Sequence, residues 1–338
     1  MKNTLASVST ASQTQALRPM RALIQPQRPP SRRASSAPAA SSMSRPESAL
    51  LLALVIALLV ACFGPAVAQH AHYHAFADQR TGWGVPFAMD VLSNLPFAVA
   101  GLWGLMALRR ISHLVPTNSP ASTHSRTGRN FEANPQPALA GLFFAGLLVT
   151  AACSSFYHWQ PDNAGLAIDR LGMVVAFAGL LGLAVADRIS GRAGLATAAT
   201  VLALGPLSVM VWATSGNLLP WAVLQGGGML LIGLLAACRS TAKPISRAWG
   251  IPLVVVIAMY ALAKVLELSD HQVFGFTHGL VSGHSMKHAV AALAAWPVIT
   301  VMHNHARIQS QLQESAEASH GQPADIAMNA SQTPRTTE

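Results

Sequence analysis

Residues 137–157 read PALAGLFFAGLLVTAACSSFY and contain no charged side chain. A helix needs about 20 apolar residues of this kind to cross the hydrocarbon core of a bilayer. His158 follows directly, and after a short polar turn a second apolar run occupies residues 166–186. The pattern predicts two adjacent transmembrane helices joined by a tight turn at one membrane surface.

Further apolar runs of similar length lie on both sides of this pair. The chain is 51% hydrophobic and only 10% charged, whereas a soluble domain carries about 25% charged residues. We therefore predict an all-α, polytopic membrane helical bundle, with a seven-helix core preceded by one extra N-terminal apolar helix or signal segment. The additional runs lie at about 49–68, 88–108, 194–213, 218–238, 248–267 and 282–302.

The ends of the chain differ in composition from this apolar middle. Residues 1–48 are rich in Ser, Pro and Arg, and this composition predicts a disordered, low-complexity tail. Residues 49–68 end in Ala66-Val67-Ala68, so they are either a cleavable signal peptide or a first transmembrane helix. We assign 70–305 to the membrane domain and expect 306–338 to be a disordered tail.

The basic residues predict the orientation of the spans. If the N-terminal tail is cytoplasmic and eight spans alternate, 18 of the 22 Lys and Arg residues fall in cytoplasmic segments. Such a bias sets membrane topology. We expect a bacterial inner (plasma) membrane protein with both tails in the cytoplasm. The exceptions on or near the exterior, periplasmic side are Arg80, Arg170, Lys264 and Lys287.

Two other classes of function are disfavoured by residue placement. The net charge of +9 arises from tails and alternate loops rather than from a basic, aromatic stripe, so we expect no nucleic-acid partner. The three cysteines, Cys62, Cys153 and Cys238, lie in apolar segments without CxxC spacing. They indicate neither a disulfide framework nor a thiolate metal site.

Ionisable residues gather at the exterior ends of three spans. His158 ends one span, Asp169 begins the next, and His284 and His288 lie in the first turns of the last span. Such residues are costly at membrane depth and therefore suggest a functional site. The i, i+4 spacing of His284 and His288 places both rings on one helix face.

Two imidazoles from one helix and a third from a neighbour match the ligand set of a catalytic zinc site with an open fourth position. We predict that His158, His284 and His288 bind Zn²⁺. Zinc lowers the pKa of a water to about 7 and polarises a carbonyl. Ser154, one turn before His158, is a candidate donor to an oxyanion. Asp169 is a candidate general base, or orients a liganding histidine.

Three motifs carry a resemblance to a known family. Ser154-Ser-Phe-Tyr-His158, Asp169-Arg-Leu-Gly-Met173 and Ser282-Gly-His-Ser-Met-Lys-His288 resemble the alkaline ceramidases, seven-helix zinc amidases in a superfamily that includes the adiponectin receptors. The stretches Phe76-Ala-Asp-Gln-Arg80 and Asp90-Val-Leu-Ser-Asn94-Leu-Pro-Phe97 look like the first core helix of the bacterial members. The resemblance spans about residues 70–305.

By that resemblance the three histidines would bind zinc, Ser154 would assist the oxyanion and Asp169 would be the general base. The implied reaction is hydrolysis of the amide bond of a ceramide-like lipid to a fatty acid and a long-chain base. Animal and fungal members carry several calcium-binding carboxylates before their first helix. Here that stretch offers Asp78 and Asp90 alone, so Ca²⁺ dependence is doubtful.

Two other functions would also use buried histidines and carboxylates. One is a seven-helix receptor or signalling protein that keeps a structural zinc site. The other is a proton- or metal-coupled transporter. The inner halves of the spans hold few charges, which disfavours transport, and most loops are short, which disfavours a large partner surface. The sequence does not define an oligomeric state.

Overall fold

The computed structural model describes residues 43–114, 134–237 and 249–320. Within these ranges the chain forms helices and no β-strand, with two isolated bridges in the connections. The predicted all-α fold class is therefore confirmed. The helices are α1 (Arg45–Phe63), α2 (Ala88–Leu92), α3 (Leu95–Leu114), α4 (Gln136–Trp159), α5 (Asn163–Arg188), α6 (Gly191–Ser215), α7 (Leu219–Ala237), α8 (Leu253–Leu268), α9 (Asp270–Phe276), α10 (Gly283–Leu293) and α11 (Trp296–His320).

Most of these helices have the length and composition of membrane spans. Among the described residues, seven stretches are long and apolar enough to cross a bilayer, so the chain is a polytopic helical bundle. Two of the seven contain a break in the helix, between α2 and α3 and between α10 and α11. The seven stretches are Arg45–Phe63, Ala88–Ile111, Gln136–Trp159, Asn163–Arg188, Gly191–Ser215, Leu219–Ala237 and Gly283–Leu312.

The predicted span 248–267 differs from its sequence assignment. Pro252 stands at the N-cap, and helix α8 runs for only 16 residues from Leu253 to Leu268. At 1.5 Å per residue such a helix covers about 24 Å, less than the roughly 30 Å of the hydrocarbon core. Helix α8 is thus shorter than each of the seven candidate membrane spans. It packs against α7, α9 and α10.

Helices α4 and α5 form the most closely packed pair in the bundle. A Cβ added at Gly146 would lie 2.3 Å from the backbone nitrogen of Ala176, and one added at Gly179 would lie 2.2 Å from that of Phe143. Small residues allow membrane helices to approach to this distance. The glycines therefore fix the depth of α5 against α4, and with it the relation between Ser154 and Asp169.

Helices α1 and α11 extend beyond the apolar runs into both predicted tails. Helix α1 begins at Arg45 instead of about 49, because Ser44 and Glu47 form a capping box at its first turn. Helix α11 continues to His320, although we expected disorder from 306. That segment is rich in Gln, Glu and Ala, which favour helix even without an apolar face. Residues 1–42 and 321–338 lie outside the described ranges.

Candidate metal centre

The three predicted histidines are brought together by the ends of two antiparallel elements. His158 lies in the last turn of α4. Ser282 caps α10, its hydroxyl accepting a hydrogen bond from the Ser285 backbone at 3.0 Å, so the helix starts just before His284. His284 and His288 therefore occupy the first two turns of α10, opposite the end of α4.

The imidazoles converge on one point. The Nε2 atoms of His158 and His284 are 3.2 Å apart. The ring centroid of His288 lies 5.1 Å from that of His158 and 5.0 Å from that of His284. One ligand nitrogen from each ring lies within 4.8 Å of the other two, and in the described part of the chain no other group of three potential ligands was found. All three residues are buried, between 1% and 6% exposed.

This geometry fits a bound divalent cation. Two nitrogens held by one zinc ion at about 2.0–2.1 Å with tetrahedral angles lie about 3.3 Å apart. The Nε2 pair of His158 and His284 matches that value. No carboxylate or thiolate belongs to the group, and three neutral nitrogen donors suit zinc and similar borderline metals. The predicted ligand set is thus assembled, and the identity of the metal stays a prediction.

A neighbouring hydroxyl orients one of the three imidazoles. Ser93 Oγ lies 2.7 Å from His288 Nδ1, which leaves Nε2 of that ring for the common point. A hydrogen bond to the second ring nitrogen fixes the tautomer and direction of a metal-binding imidazole. Asp270 instead holds the backbone of His284, whose nitrogen donates to Asp270 Oδ1 at 2.8 Å. Nδ1 of His158 has no hydrogen-bond partner among the described residues.

Phe76, in the segment before α2, packs against the histidine group. Phe76 is 4% exposed, and its ring lies 4.9 Å from that of His158 and 4.4 Å from that of His284. The adjacent Ala77 backbone nitrogen donates to Asp270 Oδ2 at 2.9 Å. One carboxylate, Asp270, therefore ties both the Phe76 segment and the start of α10 to the same place.

The Phe76 segment has a second anchor in an ion pair. Arg80 Nη2 lies 2.6 Å from Asp78 Oδ2, and the same guanidinium donates to the Leu280 carbonyl at 3.0 Å. Burial acts to raise the pKa of Asp78, but hydrogen bonds and charge from Arg80 outweigh it and hold that pKa below its usual value. The Asp78 carboxylate is thus paired with Arg80 in this structure.

Ser154 lies one turn before His158, and Asp169 of the next helix lies near it. Ser154 is buried on α4, and its hydroxyl and the Asp169 carboxylate of α5 are close enough to interact. Asp169 also interacts electrostatically with Lys287, the residue between the two α10 ligands and adjacent to His288. The roles of Ser154 and Asp169 stay predictions.

Beyond the histidines, an ionic network lies between α8 and α10. Glu267 receives Lys287 Nζ at 2.7 Å and Lys264 Nζ at 2.5 Å. Lys264 and Glu267 are an i, i+3 pair on α8, and Lys287 joins them from α10. Tyr73 lies near this network and interacts with Glu267 and Lys287.

Sequence reasoning missed the support around Asp90. This carboxylate is fully buried, and its Oδ1 atom accepts from the hydroxyls of Ser285 at 2.7 Å and Ser282 at 3.3 Å. Both serines belong to the motif that contains the α10 ligands, so Asp90 connects α2 to the start of α10. The one sequence feature that could have indicated this role is the position of Asp90, a single acidic residue at the start of an apolar run. Asp162 caps α5, since its carboxylate accepts a hydrogen bond from the Gly165 backbone at 2.6 Å.

Comparison with known proteins adds no relative. No family model, curated protein or solved structure matches this chain. The likeness to the alkaline ceramidases therefore rests on the motifs quoted above, and the function is argued from the site itself.

Proposed function

We propose that this protein is a membrane-embedded, zinc-dependent amidase that hydrolyses the amide bond of ceramide-like lipids to a fatty acid and a long-chain base. One observation carries the proposal: three buried imidazoles meet at one point at one end of a membrane bundle, with Ser154 one turn from His158 and Asp169 near Ser154. Such a set supplies the metal ligands, the donor and the base that hydrolysis of an amide requires.

Each residue has a distinct part in this proposal. His158, His284 and His288 hold the zinc, with His288 oriented by Ser93. When bound, zinc supplies Lewis acidity that activates water and polarises the amide carbonyl. Ser154 donates a hydrogen bond to the oxygen on which negative charge develops. Asp169 accepts a proton from the attacking water and returns it to the leaving amine.

The surroundings of the site suit a lipid substrate. The site lies at the end of apolar helices, so the amide of a lipid in the bilayer can reach it while the acyl chains stay among the helices. Together with the bias of basic residues, the proposal places the site at the exterior face of a bacterial inner membrane. The hydrolysed amide would then lie at the periplasmic surface.

A receptor or signalling protein with a structural zinc site is the second candidate. The burial of all three rings, and the Phe76 ring packed against two of them, favour that alternative, because a structural metal needs no access for substrate. The amidase and the receptor alternative differ in whether the protein hydrolyses an amide. A structural site would hold zinc and hydrolyse nothing.

The proposal is tested with purified protein in detergent or reconstituted vesicles. Ceramide, an N-acylethanolamine and an N-acyl amino acid serve as substrates, with released fatty acid and bound zinc both measured. We expect one zinc per chain and hydrolysis of at least one amide. His284→Ala and His288→Ala should lose the metal and lower hydrolysis by roughly 1,000-fold or more, since a Lewis acid contributes several kcal/mol.

His72→Ala is the matched control, because His72 is exposed and lies outside the histidine group. It should keep both zinc and activity. Retention of stoichiometric zinc by both α10 variants would remove the metal assignment. Stoichiometric zinc in a wild-type protein that releases no fatty acid would leave the receptor alternative.

A further inference from the structure

Arg170 follows Asp169 on α5 but faces a different part of the bundle. It is 2% exposed, and its guanidinium carbon lies 3.9 Å from the ring centroid of Trp212 at the end of α6. The rings of Trp221 and Tyr73 lie at 5.7 Å each. A cation between three aromatic rings is held by cation–π attraction as well as by packing.

The hydrogen bonds of this guanidinium are incomplete. Nη2 donates to Gln69 Oε1 at 3.0 Å, whereas the buried Nη1 has no hydrogen-bond partner among the described residues. Tyr73 and Asp169 both interact with Arg170, but neither forms a hydrogen bond with Nη1. An unsatisfied donor on a buried cation is costly and calls for an acceptor from elsewhere.

The carboxylates near Arg170 are engaged by other cations. Glu267 binds both Lys264 and Lys287, and Asp169 interacts with Lys287 as well as with Arg170. Among the described residues Arg170 forms no salt bridge with a carboxylate. Its charge therefore remains available to an anionic ligand.

Asp169, Lys264, Glu267 and Lys287 are also only partly buried, although they lie on helices of the bundle interior. They belong to α5, α8 and α10, and α7 packs against both α5 and α8. These four side chains keep accessible surface, so a head group can reach them. Lys287 lies between His284 and His288 on α10, so these charged residues adjoin the histidine group.

We infer that the preferred substrate is an amide-linked lipid whose head group carries a negative charge, and that Arg170 binds this charge through Nη1. This inference rests on the proposed function. It narrows the substrate class from ceramide-like amides in general to those with an anionic head group, which ceramide itself lacks. The amide would meet the histidine group while the anionic end of the leaving amine lies between Trp212 and Trp221. Arg170 is then a substrate-binding residue.

Two probes differ in the relevant feature alone. N-oleoylglycine and N-oleoylethanolamine share the acyl chain and the amide, and differ by a carboxylate in place of a hydroxymethyl group. We expect wild-type protein to hydrolyse N-oleoylglycine with a kcat/KM about tenfold or more above that of N-oleoylethanolamine, the effect of one charge-assisted hydrogen bond. Arg170→Met should abolish this preference and leave hydrolysis of the neutral amide within about threefold.

Arg170→Lys should recover part of the preference, since it keeps the charge but not the planar fork. Arg307→Gln, which removes an exposed positive charge from α11, is the control and should behave as wild type. Equal rates on both probes in wild-type protein would overturn the inference. So would a parallel loss of both activities in Arg170→Met, which would make Arg170 a structural residue.

A binding experiment separates this inference from the proposed function and from direct binding of the carboxylate to a metal. Chelator-treated protein should bind N-oleoylglycine more tightly than N-oleoylethanolamine, and Arg170→Met should abolish the difference. If that holds while no amide is hydrolysed, the charge recognition stands and the amidase proposal fails. If amides are hydrolysed but treated protein binds both probes equally, the inference fails and the amidase proposal stands.

Discussion

The two ends of helix α5 carry the same dipeptide in opposite settings. Asp187-Arg188 lies at its C-terminal end and Asp169-Arg170 near its N-terminal end. The Asp187 carboxylate is fully buried and accepts from the Gly250 and Ile251 backbones at 2.9 and 3.0 Å. It also pairs with its neighbour Arg188 at 2.7 Å.

At the Asp187 end of α5 the carboxylate and its neighbouring arginine bind each other and groups from other segments. Gln136, at the start of α4, donates to the same carboxylate at 3.3 Å, and Arg188 Nη2 donates to the Ile251 carbonyl at 2.8 Å. The cluster therefore joins α4, α5 and the segment before α8. Nearby, Glu47 of α1 pairs with Arg192 at 2.5 Å, so the two buried carboxylates at this end are both matched by a cation.

The Asp169 end is open by comparison. Asp169 and Arg170 point to different neighbours, Nη1 of Arg170 and Nδ1 of His158 lack partners among the described residues, and Asp169 is partly exposed. Buried polar groups are normally paired, and the exceptions concentrate at functional sites. The comparison shows that the same two residues pair with each other at one end of α5 and contact different neighbours at the other.

The largest expected effect comes from Asp169→Asn. If Asp169 is the general base, this change keeps the bound zinc and lowers turnover by about 100- to 10,000-fold. Metal content and fatty-acid release are measured on the same preparation. Wild-type turnover in this variant would mean that Asp169 orients Ser154 or supports the fold, and the contrast with Asp187 would disappear.

Asp187→Ala should act on stability and leave the chemistry unchanged. Removing one partner of a buried, hydrogen-bonded ion pair costs about 3–5 kcal/mol, because the other groups stay buried without it. The free energy of unfolding in detergent should fall by this amount, while zinc content and turnover per folded chain stay constant. Glu314→Gln, an exposed carboxylate on α11, should change neither quantity. Lost zinc in folded Asp187→Ala would contradict a purely structural role.

Ser93→Ala removes the hydrogen bond to Nδ1 of His288 and should weaken zinc binding by about 10- to 100-fold. Competition with a chelator of known affinity measures the change. Ser155→Ala is the matched control, since Ser155 bonds to the Val91 carbonyl rather than to an imidazole. Equal zinc affinities for the two serine variants would show that Ser93 does not orient the ligand.

The smallest effect concerns the cap at the open end of α5. Asp162→Ala removes the hydrogen bond to the Gly165 backbone and should destabilise the protein by about 1 kcal/mol. Asp162→Asn keeps a capping side chain and should lose less. Thermal unfolding of the two variants tests the difference, and a loss of turnover without a loss of stability would assign Asp162 to the site instead.

Much of the fold was readable from periodicity and composition. The apolar runs identified the helices because a bilayer core admits few alternatives, and His158, His284 and His288 were found by their type, depth and i, i+4 spacing. The boundaries failed where local chemistry outweighed hydropathy. Pro252 shortens α8, the Ser44–Glu47 capping box starts α1 early, and polar helix formers extend α11 to His320.

The support of the site was beyond sequence reasoning. Asp90 and Ser93 are far in sequence from the histidines they support, with a separation of 195 residues between Ser93 and His288, and Asp270 lies on a different helix from His284. Spacing along one helix says which side chains share a face, but not what faces them. Only packing decides that Asp270 serves both the Phe76 segment and the start of α10.

The sequence alone determined that this is a lipid-dissolved helical bundle and which residues were costly enough at membrane depth to suggest a site, since both follow from transfer free energies of single segments and side chains. The tertiary structure decided which of them meet. On one helix it made one Asp-Arg pair an ion pair and turned the two side chains of the other toward different neighbours, because partners supplied by other helices, and not the pair itself, set which bonds a buried charge makes.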